Sequence, residues 1–210
     1  CYASGEGIEK DEAEAARLYR LAADPGNALN QCNLGFCYQN GAGIEKNAEE
    51  AVRYYQLAAK QNYAQAQCNL AVGYSTGEGV ESNQEEAIRL YRLAVEQGNA
   101  VAQCNLALRY HSGDGVEYDI AEAMRLYRLS AEQECVLAQF HLGVCYHEAE
   151  KDFLEAAYWY QAAADHNHVM AQFELGLCYE YGEGVVKDQL AAVRLYRLSA
   201  DQNNAEAQYT

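Results

Sequence analysis

The stretch AQCNLALRYHSGDGVE, residues 102–117, combines residue types that perform chemistry in many proteins. It holds a thiol, a guanidinium, an imidazole and a carboxylate between two glycines: Cys104, Arg109, His111 and Asp114. A cysteine with a histidine nearby is the arrangement of a nucleophile and its base, and a glycine-rich loop is the arrangement of a phosphate cradle. The elements that carry these side chains decide whether such chemistry is available.

The same stretch recurs along the chain. Copies begin at Asn30 and Ala66, at intervals of 36 residues, and looser copies begin at Ala138 and Ala171. A second phrase of the type RLYRLAA alternates with these copies, and each occurrence carries a tyrosine at one equivalent position: Tyr19, Tyr55, Tyr91, Tyr127, Tyr160 and Tyr196. An active site is rarely repeated along one chain, so the recurrence indicates a structural repeat.

The two phrases predict two helices in each repeat. Apolar and small residues follow a 3.6-residue period in both phrases, as at Leu34, Gly35 and Tyr38 in the first. A G-x-G follows the first helix in most copies, and glycine readily ends a helix in the left-handed conformation. An Asn or Asp then precedes the second helix as an N-cap: Asn47, Asn83, Asp119 and Asp188. The expected architecture is a stack of antiparallel helix pairs.

The predicted boundaries form one array. It comprises a partial repeat that contributes a second helix (1–26), repeats at 27–62, 63–98 and 99–134, a shortened repeat at 135–167, a repeat at 168–203, and the start of a further repeat at 204–210. Because the chain opens and closes inside copies, we expect it to be a segment of a longer protein.

Composition narrows the class of partner. The formal net charge is −16, which repels phosphate backbones and argues against nucleic acid. The same charge suits solubility and favours a basic protein as partner. No apolar run approaches the length of about 18 residues that spans a bilayer, so no membrane insertion is expected in this segment.

The eight cysteines predict free thiols. Cys32, Cys68 and Cys104 are equivalent positions in successive repeats, and stacked helices lie about 8–10 Å apart, too far for a disulfide. Cys32 and Cys37 share one helix without facing each other, and the second phrase contains no cysteine in any copy. We therefore interpret the cysteines as small buried side chains in a reducing compartment, with a cytoplasmic location.

The repeats resemble a known family. The pattern A-x-A-Q-x-N-L-G-x-x-Y-x-x-G-x-G-V, alternating with A-x-x-L-Y-R-L-A-A-x-Q-G-N, is similar to the Sel-one-like repeat (SLR), a relative of the tetratricopeptide repeat. Ala100–Val116 and Ala87–Asn99 fit the two halves nearly residue for residue. The resemblance covers essentially the whole chain. It implies an all-α fold, a right-handed solenoid of antiparallel helix pairs with a concave groove.

The resemblance also implies a function. Members of the family usually act as adaptors or scaffolds that assemble other proteins, so a protein or peptide bound in the groove is the expected partner. Two alternatives stay open: a structural spacer or subunit within a large assembly, and a regulatory array of an enzyme whose catalytic domain lies outside this chain. Some bacterial members are cysteine-rich and bridged between paired helices, but the second helices of this chain lack cysteine.

Comparison of the repeats also argues against the chemistry that residues 102–117 suggest. The position of Cys104 is occupied in other copies by Phe140, Phe173 and Tyr209, so it is a packing position. The G-x-G loops follow helices and carry acids, as at Asp114, which repel phosphate. The histidines show no H-E-x-x-H spacing. We therefore predict no enzyme activity in this chain and no catalytic, cofactor or metal site.

The binding residues are expected on the first helices, opposite the columns that hardly vary. At 100° per residue, positions equivalent to 29, 33 and 40 lie away from Leu34 and Gly35, and they change freely between copies. The predicted protein-binding residues are Asn33, Asn40, Gln65, Asn69, Val101, Asn105, Ser112, His141, Met170, Glu174 and Tyr181. Asn33, Asn69 and Asn105 form a ladder that either bonds a peptide backbone or bonds between helices.

The fourth repeat departs from the others. It is three residues shorter, lacks the G-x-G, and reads AAYWYQAAA in its second helix. Tyr158 stands where five other copies have arginine, and Trp159 takes a leucine position. Tyrosine and tryptophan are favoured interface anchors, so these two residues form a possible second interface. The alternative is that a shorter loop requires bulkier filling residues.

Overall fold

The computed structural model describes residues 11–23, 26–202, 204 and 207. All regular secondary structure in these residues is helical, with eleven α-helices and one π-helical turn at Tyr146–Glu150. The helices are α1 (Glu12–Ala23), α2 (Ala28–Asn40), α3 (Ala48–Ala59), α4 (Ala64–Thr76), α5 (Gln84–Glu96), α6 (Ala100–Ser112), α7 (Ile120–Ala131), α8 (Val136–Cys145), α9 (Phe153–Asp165), α10 (Val169–Tyr181) and α11 (Gln189–Asp201). The all-helical prediction is confirmed. Parts of the partial copies predicted at 1–26 and 204–210 lie outside the described residues.

Helices that follow each other in the chain pack together. Within repeats, α2 contacts α3, α4 contacts α5, α8 contacts α9 and α10 contacts α11. Short connections make each pair an antiparallel hairpin. The chain divides into two compact units, one up to Ala102 with Asp114–Val116, and the other comprising Gln103–Gly113 and the residues from Glu117 onward.

The second helices begin where the sequence predicts. The side chains of Asn47, Asn83 and Asp119 each accept a hydrogen bond from the backbone N–H three residues later, at 3.0–3.1 Å. Asp188 caps α11 in the same way through Leu190 and Ala191. Each cap satisfies an amide that has no partner inside the helix. These four N-cap predictions are confirmed.

The G-x-G loops are turns that allow close packing. Gly41 and Gly77 end α2 and α4 in the left-handed conformation, with φ of +71° and +75°. The second glycine, as at Gly79, also has positive φ, and a methyl group on it would overlap the Ala48 carbonyl at the start of α3. The loops therefore fix the distance between one repeat and the preceding second helix, as glycine permits.

The shortened fourth repeat reaches its second helix by another route. In regular copies the N-cap amide donates to a tyrosine carbonyl near the end of the first helix, as from Asn83 to Tyr74 at 2.9 Å. In the fourth copy Asp152 donates to Tyr146 at 3.0 Å. The π-helical turn and Lys151, with φ of +56°, span this connection with three fewer residues.

Candidate protein-binding surface

A column of glutamines holds the first helices in place. Gln31 and its counterparts are buried. Their side-chain oxygens accept hydrogen bonds from a glutamine at the end of the same repeat's second helix, at 2.7–2.9 Å: Gln61 to Gln31, Gln97 to Gln67, Gln133 to Gln103 and Gln202 to Gln172. In the fourth repeat His166 replaces that donor and bonds the Ala162 carbonyl, and Gln139 Oε1 is without a hydrogen-bond partner among the described residues.

The marker tyrosines of the second helices pack on the same side of the first helices. A Cβ on Gly35 would lie 2.7 Å from the Tyr55 ring, and one on Gly143 would lie 2.7 Å from the Tyr160 ring. The Tyr55 hydroxyl donates to Gln39 at 2.6 Å. The invariant columns are therefore explained by packing within the repeat, and the opposite side of each first helix is left to vary.

That opposite side presents a column of exposed apolar residues. The second residue of the first helix is between 37% and 51% exposed in four copies: Leu29, Val101, Leu137 and Met170. The fifth member, Gln65, is partly buried because it donates to Asn69 at 2.9 Å and accepts from Asn99 at 3.2 Å. Of the predicted binding residues, Val101 and Met170 thus lie on an accessible surface, whereas the Gln65 side chain is hydrogen-bonded within its own unit.

The asparagine ladder bonds between helices at one described position. Asn69 accepts from Gln65, and its amide also lies 3.8 Å from the Cys32 sulfur on the preceding first helix. Asn33 lines a groove with Tyr19 and Phe36. Asn105 is partly buried. The geometry of Asn69 favours the structural interpretation there, and a ligand role for the ladder stays a prediction.

His141 replaces the ladder asparagine in the fourth repeat. Its ring stacks on Tyr127, with centroids 5.4 Å apart and an interplanar angle of 17°, and it also contacts Phe140 at 5.3 Å. Burial, with smaller contributions from His111 and His168, lowers the pKa of His141 to about 4. A neutral, partly buried ring of this kind is a packing group more than a free contact.

The remaining predicted binding residues differ in accessibility. Asn40 and Ser112 are exposed at the ends of α2 and α6, where each bonds a carbonyl of its own helix. Tyr181 is 65% exposed at the end of α10. Glu174 is partly buried, and its charge contributes, after burial, to the raised pKa of Tyr160. Tyr181 is therefore the most accessible large side chain of the predicted set.

Tyr158 and Trp159 have different environments. Tyr158 is 63% exposed, whereas Trp159 is partly buried with its ring 5.0 Å from Tyr158 in an edge-on arrangement. In four copies an arginine pairs with the glutamate three residues earlier, as Arg89 does with Glu86 at 2.6 Å. In α9 the Trp159 indole donates to Glu155 at 3.1 Å instead. Only Tyr158 is presented as an anchor.

The thiols and histidines of the described residues form no cluster that could hold a metal ion. The seven cysteines in the described residues are free, and all but Cys135 are buried. Cys104 is 2% exposed, so a substrate does not reach it. Burial raises the pKa of Cys32 to about 11 and that of Cys145 and Cys178 to about 12. Across the described residues no three acidic, cysteine or histidine side chains lie together as metal ligands.

The sequence comparison agrees with this repeat geometry. The Sel1 repeat model matches six segments: residues 1–27, 31–63, 64–99, 100–135, 136–168 and 169–204. The chain belongs to the Sel1 repeat family. A comparison with curated proteins found no match.

Solved structures of Sel1 repeat proteins are similar to this chain. A protective antigen of uropathogenic Escherichia coli strains, displaying an SLR fold, has 34% identity and a TM-score of 0.87 over 99% of this chain and 45% of its own length. A Sel1 repeat protein from Oxalobacter formigenes has 35% identity and a TM-score of 0.86, covering 96% of this chain and 84% of its own. The Sel1 repeat array therefore has the helix-pair fold of the SLR solenoids.

The α-helices of the described residues are 10 to 13 residues long. Within the described residues, none combines the length and the apolar character needed to cross a bilayer. Sel1 repeat arrays generally mediate interactions between proteins.

Proposed function

We propose that this Sel1 repeat array is an adaptor or scaffold that binds a protein or peptide on its first helices. The observation that carries the proposal is an exposed apolar residue at one equivalent first-helix position in each unit: Leu29 and Val101 in the first, Leu137 and Met170 in the second. Apolar residues that recur at one helical position and keep part of their surface accessible fit a binding surface.

The chemistry of the surface suggests the class of partner. The chain has a formal net charge of −16, so a basic segment is attracted to it. Apolar contacts at the exposed column and the aromatic ring of Tyr181 then supply affinity. The partner we propose is a basic protein segment with apolar side chains, and neither a nucleic acid nor a cofactor is part of the proposal. In our proposal this chain has no enzymatic activity of its own.

A second candidate rests on the second helices of the later copies. Leu154 and Leu190 are exposed where earlier copies have Glu49 and Glu85, and Tyr158 is exposed beside Leu154 on α9. Apolar residues in acidic and basic positions fit a role as a spacer or subunit that docks into a larger assembly. The third possibility, a regulatory array attached to a catalytic domain, has no observation of its own.

The test compares the two surfaces with substitutions taken from the chain's own repeats. One variant carries Leu137→Gln and Met170→Gln, since Gln65 occupies that position in another copy. The matched control carries Leu154→Glu and Leu190→Glu, the residue type of Glu49 and Glu85. Partners are captured from source lysate and identified by mass spectrometry, after both variants show unchanged helicity and melting temperature.

We expect the first-helix variant to lose a partner that the second-helix variant keeps. The reverse result contradicts the adaptor proposal and supports the spacer. A further variant, Asn69→Ala with Asn105→Ala, separates the ladder from the apolar column. Equal recovery with this variant assigns the asparagines to bonding between helices.

A further inference from the structure

Two columns of the repeat touch each other across successive first helices. The residue just before a first helix lies against the fifth residue of the preceding first helix. In one unit Tyr63 lies near Cys32, whose charge adds to burial in raising the pKa of Tyr63. In the other unit the rings of His168 and Phe140 are 4.6 Å apart. The contact is therefore a recurring feature of the fold.

Cysteines occupy both columns at one place. Cys104 lies in α6, and Cys135 lies at the N-cap of α8, the positions that correspond to Phe140 and His168. The two thiols are joined by a side-chain hydrogen bond. Cys135 also receives a hydrogen bond from the buried Ser130 side chain at the end of α7. The register of the two columns therefore places the side chains of Cys104 and Cys135 against each other in the reduced protein.

Cys135 is the accessible member of the pair. It is partly exposed, whereas Cys104 is 2% exposed. A small oxidant therefore reaches Cys135 from solvent, whereas the buried Cys104 is not accessible to it. This is the arrangement of an attacking thiol and a resolving thiol.

We propose that Cys104 and Cys135 are a redox-sensitive pair that forms a reversible disulfide when the protein meets a peroxide. The bond joins two successive first helices through the turn before α8. It differs from a bridge between the two helices of one repeat, because the second phrase carries no cysteine. The proposal is independent of the protein-binding function proposed above.

The chemistry balances with hydrogen peroxide as the oxidant. The Cys135 thiolate attacks one peroxide oxygen, so an S–O bond forms, the O–O bond breaks, and the leaving hydroxide takes a proton to become water. The Cys104 sulfur then attacks the Cys135 sulfenic acid. The S–S bond forms, the S–O bond breaks, and the hydroxyl leaves as water with the Cys104 proton. Two thiols are oxidised and one peroxide is reduced to two waters.

The environment of Cys135 favours the thiolate that this step needs. The hydrogen bond from Cys104 lowers the pKa of Cys135 to about 5, assisted by Ser130 and by the backbone amides of Ala138 and Leu137 at the start of α8, and opposed by burial. Burial raises the pKa of Cys32, Cys37, Cys145 and Cys178. The oxidant therefore distinguishes Cys135 from these four thiols.

The test counts thiols before and after oxidation of the full chain. All proteins carry Cys1→Ser, so that the remaining cysteines are the seven with described positions. After treatment with hydrogen peroxide, the protein is unfolded, alkylated and weighed. We expect two fewer alkyl groups and a mass lower by two hydrogens, both reversed by dithiothreitol. The oxidised protein should also melt roughly 5–10 °C higher, because the bond restrains the unfolded chain.

Matched variants assign the bond to the pair. Cys135→Asn uses the residue found at Asn99, and Cys104→Ala keeps a small apolar side chain; both should retain all their thiols. Cys145→Ser removes a buried thiol outside the pair and should still form the bond. The proposal is overturned if the wild-type cysteines stay reduced, if the bond forms without Cys135, or if Cys135 gains oxygen while Cys104 stays free.

Discussion

The fourth helix pair (α8 and α9) and the regular pair (α4 and α5) connect their two helices with different loops. Both pairs bring an N-cap amide to a tyrosine carbonyl, at 3.0 Å from Asp152 and 2.9 Å from Asn83. The regular pair uses a G-x-G loop, and the fourth uses a π-helical turn with a left-handed lysine. The conserved element of the repeat is thus the hydrogen bond that ends the loop, and the loop itself is replaceable.

The shorter connection coincides with weaker polar pairing. In the regular pair Gln97 donates to Gln67 at 2.7 Å. In the fourth, His166 turns to its own helix and Gln139 Oε1 stays buried without a hydrogen bond in the described structure. A buried oxygen without a hydrogen bond lowers the free energy of unfolding by about 1–3 kcal/mol. The fourth pair therefore lacks the glutamine–glutamine hydrogen bond of the regular pair, and the following substitutions measure such differences.

The largest effect is expected from the regular loop. Gly79→Ala places a methyl group on the Ala48 carbonyl and forces a side chain into positive φ, at +77°. We expect the free energy of unfolding to fall by about 3 kcal/mol, measured by urea denaturation. Gly98→Ala is the control, because Gly98 has φ of +78° but no atom near the added methyl group. It should lose only about 1 kcal/mol.

If both alanine variants lose the same stability, the backbone conformation alone explains the glycine. The close approach between the loop and α3 would then contribute nothing. The fourth repeat, which has no G-x-G, would no longer differ from the regular copies in the way its loop packs.

The next effect is a pH dependence that belongs to the fourth pair. The pKa of His141 is lowered to about 4, mainly by burial. Because the unfolded histidine titrates near its ordinary value, stability is fully present above about pH 6.5 and is lost as the pH falls towards 4. We expect His141→Asn, the residue of Asn69, to remove about 2 kcal/mol of this loss between pH 7 and pH 4. Urea denaturation across that range measures it.

His168 supplies the control for the pH experiment. Its pKa is also lowered by burial, so its contribution should persist in the His141 variant. An unchanged pH profile in His141→Asn would show that the stacked ring on Tyr127 exchanges protons freely with solvent.

A smaller gain is expected from repairing the glutamine column. His166→Gln restores the donor that Gln61, Gln97, Gln133 and Gln202 supply in the other copies. Satisfying Gln139 Oε1 should raise the free energy of unfolding by about 1 kcal/mol. The converse change, Gln97→His, should lower it by a similar amount. If neither change alters the free energy of unfolding, the glutamine column is held by the contacts of the first helices alone.

The sequence predicts the fold well because each helix pair repeats the same local sequence signals. The N-caps Asn47, Asn83, Asp119 and Asp188 lie where local chemistry requires them, and the tyrosine column is buried in five copies, with Tyr19 partly buried. These features depend on neighbours a few residues away, so one copy is enough to interpret them. The conformation of the fourth loop cannot be predicted in this way, since nothing local in HEAEKD indicates a π-helical turn.

The candidate surface is harder to predict because contacts between repeats decide it. The variable columns correctly indicate accessible residues such as Met170 and Tyr181, but Gln65 and Asn69 bond each other and a neighbouring helix. Equivalent cysteines alone do not point to Cys135, which lies just before its helix in the column that meets the column of Cys104. The signal was present in the register: the column before each first helix meets the preceding one.

The smallest effect concerns the tyrosine column itself. Tyr127 is fully buried between His111 and His141, and within the described structure its hydroxyl has no hydrogen-bond partner. Tyr127→Phe therefore removes an unsatisfied polar group and keeps the stacked ring. We expect the free energy of unfolding to rise by about 0.5 kcal/mol, measured by urea denaturation, since no bond is lost.

Tyr55→Phe is the matched change in a regular pair. The Tyr55 hydroxyl donates to Gln39 at 2.6 Å, so its removal leaves an acceptor unpaired and should lower the free energy of unfolding by about 1 kcal/mol. Opposite signs at the two tyrosines would establish that the histidines around Tyr127 replaced a hydrogen bond with ring stacking. A loss of stability at both positions would mean that water reaches the Tyr127 hydroxyl and satisfies it.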